Sequence, residues 1–185
     1  MLTLIALHDR LARWLAGALP LILPTAARLC FAGVLLFYFW ASALTKLGGG
    51  PLGFLHPSDG AYVQIFPKAM EAVGYDASQL SWFHWAVAVA GILAEVALPL
   101  LIVAGLFTRL AALGMLGFIV VQSMTDIWGH GIMGDDLGRW FDAASGALIL
   151  DQRSLWAFLL MTLFFTGAGP ISLDRLLLRS RTNQF

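Results

Sequence analysis

Residues 80–104 read LSWFHWAVAVAGILAEVALPLLIVA, and Glu95 is the only acidic or basic side chain besides His84 in that run. A helix rises about 1.5 Å per residue. The run is therefore long enough to cross a hydrocarbon layer of about 30 Å. An ionised carboxylate in lipid costs several kcal/mol unless it is paired or wetted. Glu95 is thus a functional candidate by default. The plainer reading makes it a structural partner for an arginine, and Arg28, inside the inner end of the preceding apolar stretch, is the partner expected.

The rest of the chain agrees with a membrane setting. Its 185 residues are 59% hydrophobic and 12% charged, with a mean hydropathy of +0.81. A soluble domain carries about twice that charge. The length suits one domain of four or five membrane segments. Formal net charge is zero, which argues against a nucleic-acid partner. Cys30 is the single cysteine, so no disulfide forms within the chain and self-contained thiol–disulfide chemistry is excluded. Leu29 before it does not fit a lipid-attachment site. His8, Asp9, Arg10 and Arg13 interrupt the first apolar stretch, which does not read as a secretory signal.

Residues 1–24 are expected to form an interfacial segment. Leu4, Leu7, Leu11, Trp14 and Leu15 recur at helical spacing opposite Asp9, Arg10 and Arg13, the pattern of an amphipathic helix lying on a membrane. Pro20 and Pro24 are expected to break it. The bundle proper is placed at 25–170, with spans at about 25–46, 80–104, 107–126 and 153–169. A glycine-rich loop follows the first span, and 61–73 suits a short interfacial helix. Gly105 makes the turn between the second and third spans. Segment 127–152 is polar and irregular. Pro170 ends the fourth span, Ser172 caps a final amphipathic helix, and 171–185 form a tail. The expected fold is an all-α membrane protein, an antiparallel four-helix transmembrane bundle. It is dense in small residues (Ala86, Ala88, Ala90, Gly91, Ala94, Ala97, Ala111, Ala112, Gly114, Gly117) that let helices approach closely.

Charge sets the expected orientation. The side with the N-terminus, the 105–107 turn and the tail carries Arg10, Arg13, Arg28, Arg109, Arg175, Arg179 and Arg181; the other carries Lys46, Lys68, Arg139 and Arg153. The positive-inside rule then puts both termini in the cytoplasm. Of the tryptophans, Trp40, Trp82, Trp85, Trp128, Trp140 and Trp156 fall toward the outer side and Trp14 toward the inner.

Polar groups inside the spans gather at that outer end. Tyr38, Ser42 and Lys46 lie four apart, as do Gln122 and Asp126, so each set shares a helix face. His84 and Glu95 are eleven apart, close to three turns. Convergence of these faces would make an outer polar cavity of Tyr38, Ser42, Lys46, His84, Gln122 and Asp126, with Glu95 about 20 Å deeper. Each has a plain alternative. Lys46 would snorkel to headgroups, Asp126 would cap the third span or pair with Lys46, and His84 would be interfacial. Two uses fit a cavity of this kind. One is a quinone headgroup, with Tyr38, His84 and Lys46 donating to ring carbonyls and Asp126 exchanging protons outward. The other is copper on His56, His84, His130 and Met133, although these histidines lack a ligand spacing. No nucleophile elbow, HExxH or phosphate-binding loop is present.

Four segments together resemble the DoxX family of small bacterial membrane proteins. They are Ala43-Leu44-Thr45-Lys46-Leu47, Ala94-Glu95-Val96 with Leu98-Pro99-Leu100-Leu101, Gly105-Leu106-Phe107-Thr108-Arg109-Leu110-Ala111-Ala112, and Gly167-Ala168-Gly169-Pro170-Ile171-Ser172-Leu173-Asp174. The resemblance covers roughly residues 28–175. It implies four membrane helices and carries over Lys46, Glu95 and Arg109 as motif positions, with Arg28, Glu95 and Arg109 as a structural ion set. Arg109 has a plainer reading as a cap for the carbonyls that end the second span. Some members resemble the small subunit of a thiosulfate:quinone oxidoreductase; others accompany thiol, oxidative-stress or metal-handling proteins.

The leading expectation is a bacterial cytoplasmic-membrane accessory subunit of a periplasm-facing, quinone-linked redox system, with thiol or sulfur chemistry and a partner protein. The alternative is a non-enzymatic protein for copper or small-molecule handling, or a scaffold. Transport would require a homo-oligomer, because four spans enclose little.

Overall fold

The computed structural model describes residues 2–182. All regular structure among them is helical. The first apolar stretch is one unbroken rod. It comprises α1 (Leu2–Phe31), a π-helical turn (Ala32–Leu36) and α2 (Phe37–Lys46). Two short helices follow, α3 (Asp59–Ile65) and α4 (Pro67–Ala72). Then come α5 (Trp82–Ala104), α6 (Thr108–Met124), α7 (Arg153–Thr166) and α8 (Leu173–Thr182). π-helical turns extend α6 to Gly129 and begin α7 at Leu148. Four rods are long and apolar enough to cross a membrane: Thr3–Lys46, Trp82–Ala104, Thr108–Gly129 and Leu148–Thr166.

The expected break at Pro20 and Pro24 is absent, and α1 runs through both. Membrane helices tolerate proline because neighbouring groups satisfy the freed carbonyls. Pro24 is fully buried, and a Cβ on Gly169 would lie 2.9 Å from its side chain, so the chain after α7 packs directly onto this proline turn. Across its 44 residues the rod is about 66 Å long, twice a hydrocarbon thickness. Its amphipathic first turns therefore continue the same helix as the span. The expected helix at 61–73 is two helices meeting at Phe66, where Pro67 opens the second.

Packing closes a ring. α1–α2 lies against α5, α5 against α6, α6 against α7, and α7 against α1. Phe31, Leu35 and Phe39 project into the ring from one face of the first rod. They meet Ile102, Ala111, Ala112, Met115, Ile119, Leu160 and Leu163. The opposite faces expose Leu29, Val34, Phe37, Leu44, Leu113, Val120, Leu155 and Phe158. In a bilayer these are the lipid-facing surface. The side chains of Arg179 and Arg181, and residues 183–185 of the expected tail, lie outside the described residues.

The arginine-rich end is clasped rather than merely looped. Arg28 donates from Nε to the Ile102 carbonyl (3.0 Å) and from Nη1 to that of Ala168 (3.0 Å), with further bonds to Val103 and Ile171. Asp174 accepts from the backbone N–H groups of Phe107 (2.7 Å) and Thr108 (3.1 Å). Its own N–H donates to Gly105. Gly105 adopts φ +69°, and a Cβ there would lie 2.6 Å from Ser172 and 2.8 Å from Arg28, so only glycine fits. Ser172 Oγ accepts from the Arg175 N–H and caps α8 as expected.

Candidate functional site

The site grows from the end of the first rod. Lys46 closes α2, yet its side chain is only 7% exposed and does not snorkel outward. Its Nζ donates to both Glu95 oxygens (2.9 and 3.0 Å) and to Ser42 Oγ (2.6 Å). Ser42 Oγ in turn donates to Glu95 Oε1 at 3.0 Å. The α2 spacing of four puts Ser42 directly below Lys46. On α5, Pro99 lacks the N–H that would bond the Glu95 carbonyl four residues back, so the helix ladder is opened at the residue that carries the carboxylate. Glu95 is 3% exposed.

This overturns the expected vertical order. Lys46 was placed at the outer surface with His84, and Glu95 well below both, paired with Arg28. The segment after Lys46 instead folds back over the rod's end. Ser58 donates its backbone N–H to the Lys46 carbonyl (3.0 Å), and Trp85 Nε1 donates to the Leu55 carbonyl (2.8 Å). Helices α3 and α4 bury Tyr62 and Met70 near Ala88 of α5. The first rod therefore stops partway down α5, and its lysine meets the mid-span glutamate. Among the described residues Arg28 donates to backbone carbonyls alone. It does the carbonyl-capping expected of Arg109, whose exposed side chain makes no hydrogen bond or ion pair among the described residues.

Above the pair lies a cavity of about 440 Å³ between α5 and α6. Ser42, Lys46 and Glu95 line one end of it. Because α5 descends while α6 ascends, Gly114 and Gly117 line the wall near the pair, and Gln122, Thr125, Asp126 and His130 line the outer part. Ala90, Gly91 and Ala94 form the facing wall. Some of the small residues expected to bring helices together thus leave space: a Cβ on Gly117 would meet nothing within 4 Å. The result is a largely apolar slot with the Lys46–Glu95 pair at one end and Gln122, Asp126 and His130 toward the other. Gln122 Nε2 reaches Tyr38 Oη at 3.4 Å, while its buried Oε1 has no hydrogen-bond partner among the described residues.

Of the expected cavity residues, Ser42, Lys46, Gln122 and Asp126 line it, and Glu95 joins them. Tyr38 touches it only through Gln122, and its ring packs on Trp156. His84 is elsewhere. It bonds Ser81 Oγ at 2.9 Å and its ring meets Phe66, held away by the α3–α4 fold. Asp126 pairs with Arg153, not Lys46; Arg153 is 8% exposed and also bonds Ser123 Oγ at 3.0 Å. Sequence reasoning missed Arg153, Gln64 and His130 as neighbours of the site. His130 Nε2 lies 2.9 Å from the Gln64 carbonyl. Arg153 is the first residue of the expected fourth span, at its outer end; the helix instead begins five residues earlier, in the π-helical turn Leu148–Gln152, which carries Arg153 into the bundle. The copper alternative loses its geometry. His56 and His130 belong to no metal-holding group of three or more His, Cys, Asp or Glu among the described residues, and Met133 is 76% exposed.

An all-helical ring of four apolar rods, closed around a lysine–glutamate pair, defines a polytopic membrane protein with an internal polar site. The DoxX family profile matches residues 23–126, more than half of the chain, and this protein belongs to the DoxX family. The match takes in Lys46, Glu95 and Arg109 and ends before the 167–174 motif. No curated protein and no solved structure matches the chain.

Proposed function

We propose that this DoxX protein is the membrane-embedded accessory subunit of a quinone-linked redox system, with the cavity over Lys46–Glu95 holding the quinone headgroup. The observation that carries the reading is the slot itself: apolar small-residue walls, a Gln122 Oε1 with no partner among the described residues, and the Lys46–Glu95 pair at one end. A flat ring with two carbonyls fits walls built from Gly91, Ala94, Gly114 and Gly117. The Gln122 amide can donate to a ring carbonyl or accept from a ring hydroxyl, and Glu95 is a group able to hold a proton at Oε1 or Oε2. When bound, a quinone supplies two-electron, two-proton chemistry. The electrons come from a partner protein. The outer loop offers it an apolar docking face in Trp128, Met133, Trp140 and Phe141, all exposed. In this reading the arginine-rich end faces the cytoplasm of a bacterial inner membrane, and the cavity opens toward the periplasmic side.

The test is extraction and mass spectrometry of the purified protein. Wild type should carry quinone. Gln122→Leu should carry about two- to tenfold less, the equivalent of one lost hydrogen bond. His84→Ala, outside the cavity, should carry as much as wild type. Equal quinone in Gln122→Leu and wild type, or none in either, would overturn the reading.

A further inference from the structure

The Gly-Leu-Phe-Thr-Arg turn and the Gly-Pro-Ile-Ser-Leu-Asp segment play no part in the redox reading, yet they meet at the opposite end of the bundle. They line one groove of about 680 Å³. Arg109 and Arg175 both line it, both are exposed, and neither guanidinium has a hydrogen bond or ion pair among the described residues. Thr108 lines it as well. It is 1% exposed, and its Oγ1 has no partner among the described residues. A buried hydroxyl without a partner costs about 1–3 kcal/mol, so a ligand acceptor is the missing element. Asp174, also on the groove, is already spent on the Phe107 and Thr108 amides. With Arg28 beside it, three guanidiniums face one carboxylate, leaving the locality positive.

We propose that this groove binds the phosphate of an anionic phospholipid. Arg109 and Arg175 grip phosphate oxygens, as arginine forks do, and Thr108 Oγ1 donates at the groove floor. A lipid fits better than free phosphate because the groove is flanked by Pro20, Leu110 and Leu177, of which Leu110 and Leu177 are 67% and 52% exposed and continue it along the lipid-facing surface. Basic pockets between membrane helices commonly hold such headgroups. The inference is independent of what occupies the outer cavity.

The full chain is reconstituted in nanodiscs of phosphatidylcholine with or without phosphatidylglycerol, and retained lipid is counted by native mass spectrometry. Wild type should retain phosphatidylglycerol in clear preference to phosphatidylcholine. Arg109→Gln with Arg175→Gln should weaken that preference roughly thirty-fold, at about tenfold or less for each arginine. Thr108→Val, which keeps the side-chain shape, should weaken it less than the arginine pair. Since neither guanidinium bonds any described residue, the arginine variants should fold, and each single change provides a second reading. No lipid preference in wild type, an unchanged preference in the double variant, or equal stabilisation by inorganic phosphate in neutral nanodiscs would overturn the proposal.

Discussion

Arg28 and Lys46 are two cations on one unbroken rod, the first half-buried and the second buried, about five turns apart, and the bundle answers them differently. Arg28 is held by four backbone carbonyls from the ends of α5 and the 167–172 segment. Lys46 is held by a carboxylate and a hydroxyl on the wall of a cavity. Carbonyl dipoles are fixed and cannot take up a proton, so the Arg28 end is a fastener. A carboxylate can change charge, so the Lys46 end retains chemical capacity. The difference teaches where to look for function in a small membrane bundle: at the buried charge whose partner can titrate and whose surroundings leave space.

The contrast can be broken most forcefully at Lys46. Lys46→Met strands the Glu95 carboxylate in the bundle and should cost about 3–5 kcal/mol, as lone buried charges do. Lys46→Met with Glu95→Gln should recover most of that loss in thermal or denaturant unfolding of the detergent-solubilised protein. Failure of the double change to recover stability would mean that the pair is not the source of the loss.

At the fastener no such recovery exists. Arg28→Lys keeps the charge but loses the planar fork that spans four acceptors. It should cost about 2–3 kcal/mol, measured in the same way, and removal of any single carboxylate should leave that loss in place. A loss under about 0.5 kcal/mol would show that one ammonium serves as well as the guanidinium. A smaller effect is expected where Asp174 caps α6: Asp174→Ala should cost about 1–2 kcal/mol and loosen the first turn of α6, read as faster hydrogen exchange at Phe107 and Thr108.

Much of this was legible in the sequence because lipid leaves few options. Glu95 inside an uncharged run had to be paired or wetted, and the apolar lengths fixed four spans. Ser42, Lys46, Gln122 and Asp126 were found because spacing of four defines a shared face. Partner identity was not legible, because it depends on relative depth. Helix faces say which way a side chain points but not how far one rod slides along another. The fold-back of residues 47–80 set that slide, bringing Lys46 to Glu95 and moving His84 aside. The proline break failed for a related reason: Pro20 and Pro24 were judged by rules for water-exposed helices, while Pro24 is buried against the chain near Gly169. Arg153 was missed because a π-helical turn brought a residue at the edge of a loop into the bundle.

The mildest change is the most pointed. Gly117→Leu adds a side chain where nothing lies within 4 Å. It replaces a poor helix former by a good one, so stability should move by less than about 1 kcal/mol. Titration of the purified variant with a short-tailed benzoquinone, followed by quenching of tryptophan fluorescence, asks directly whether the slot over Lys46–Glu95 is the binding site. The account predicts saturable binding to wild type and at least tenfold weaker binding to Gly117→Leu; equal affinities in two equally stable proteins would contradict it.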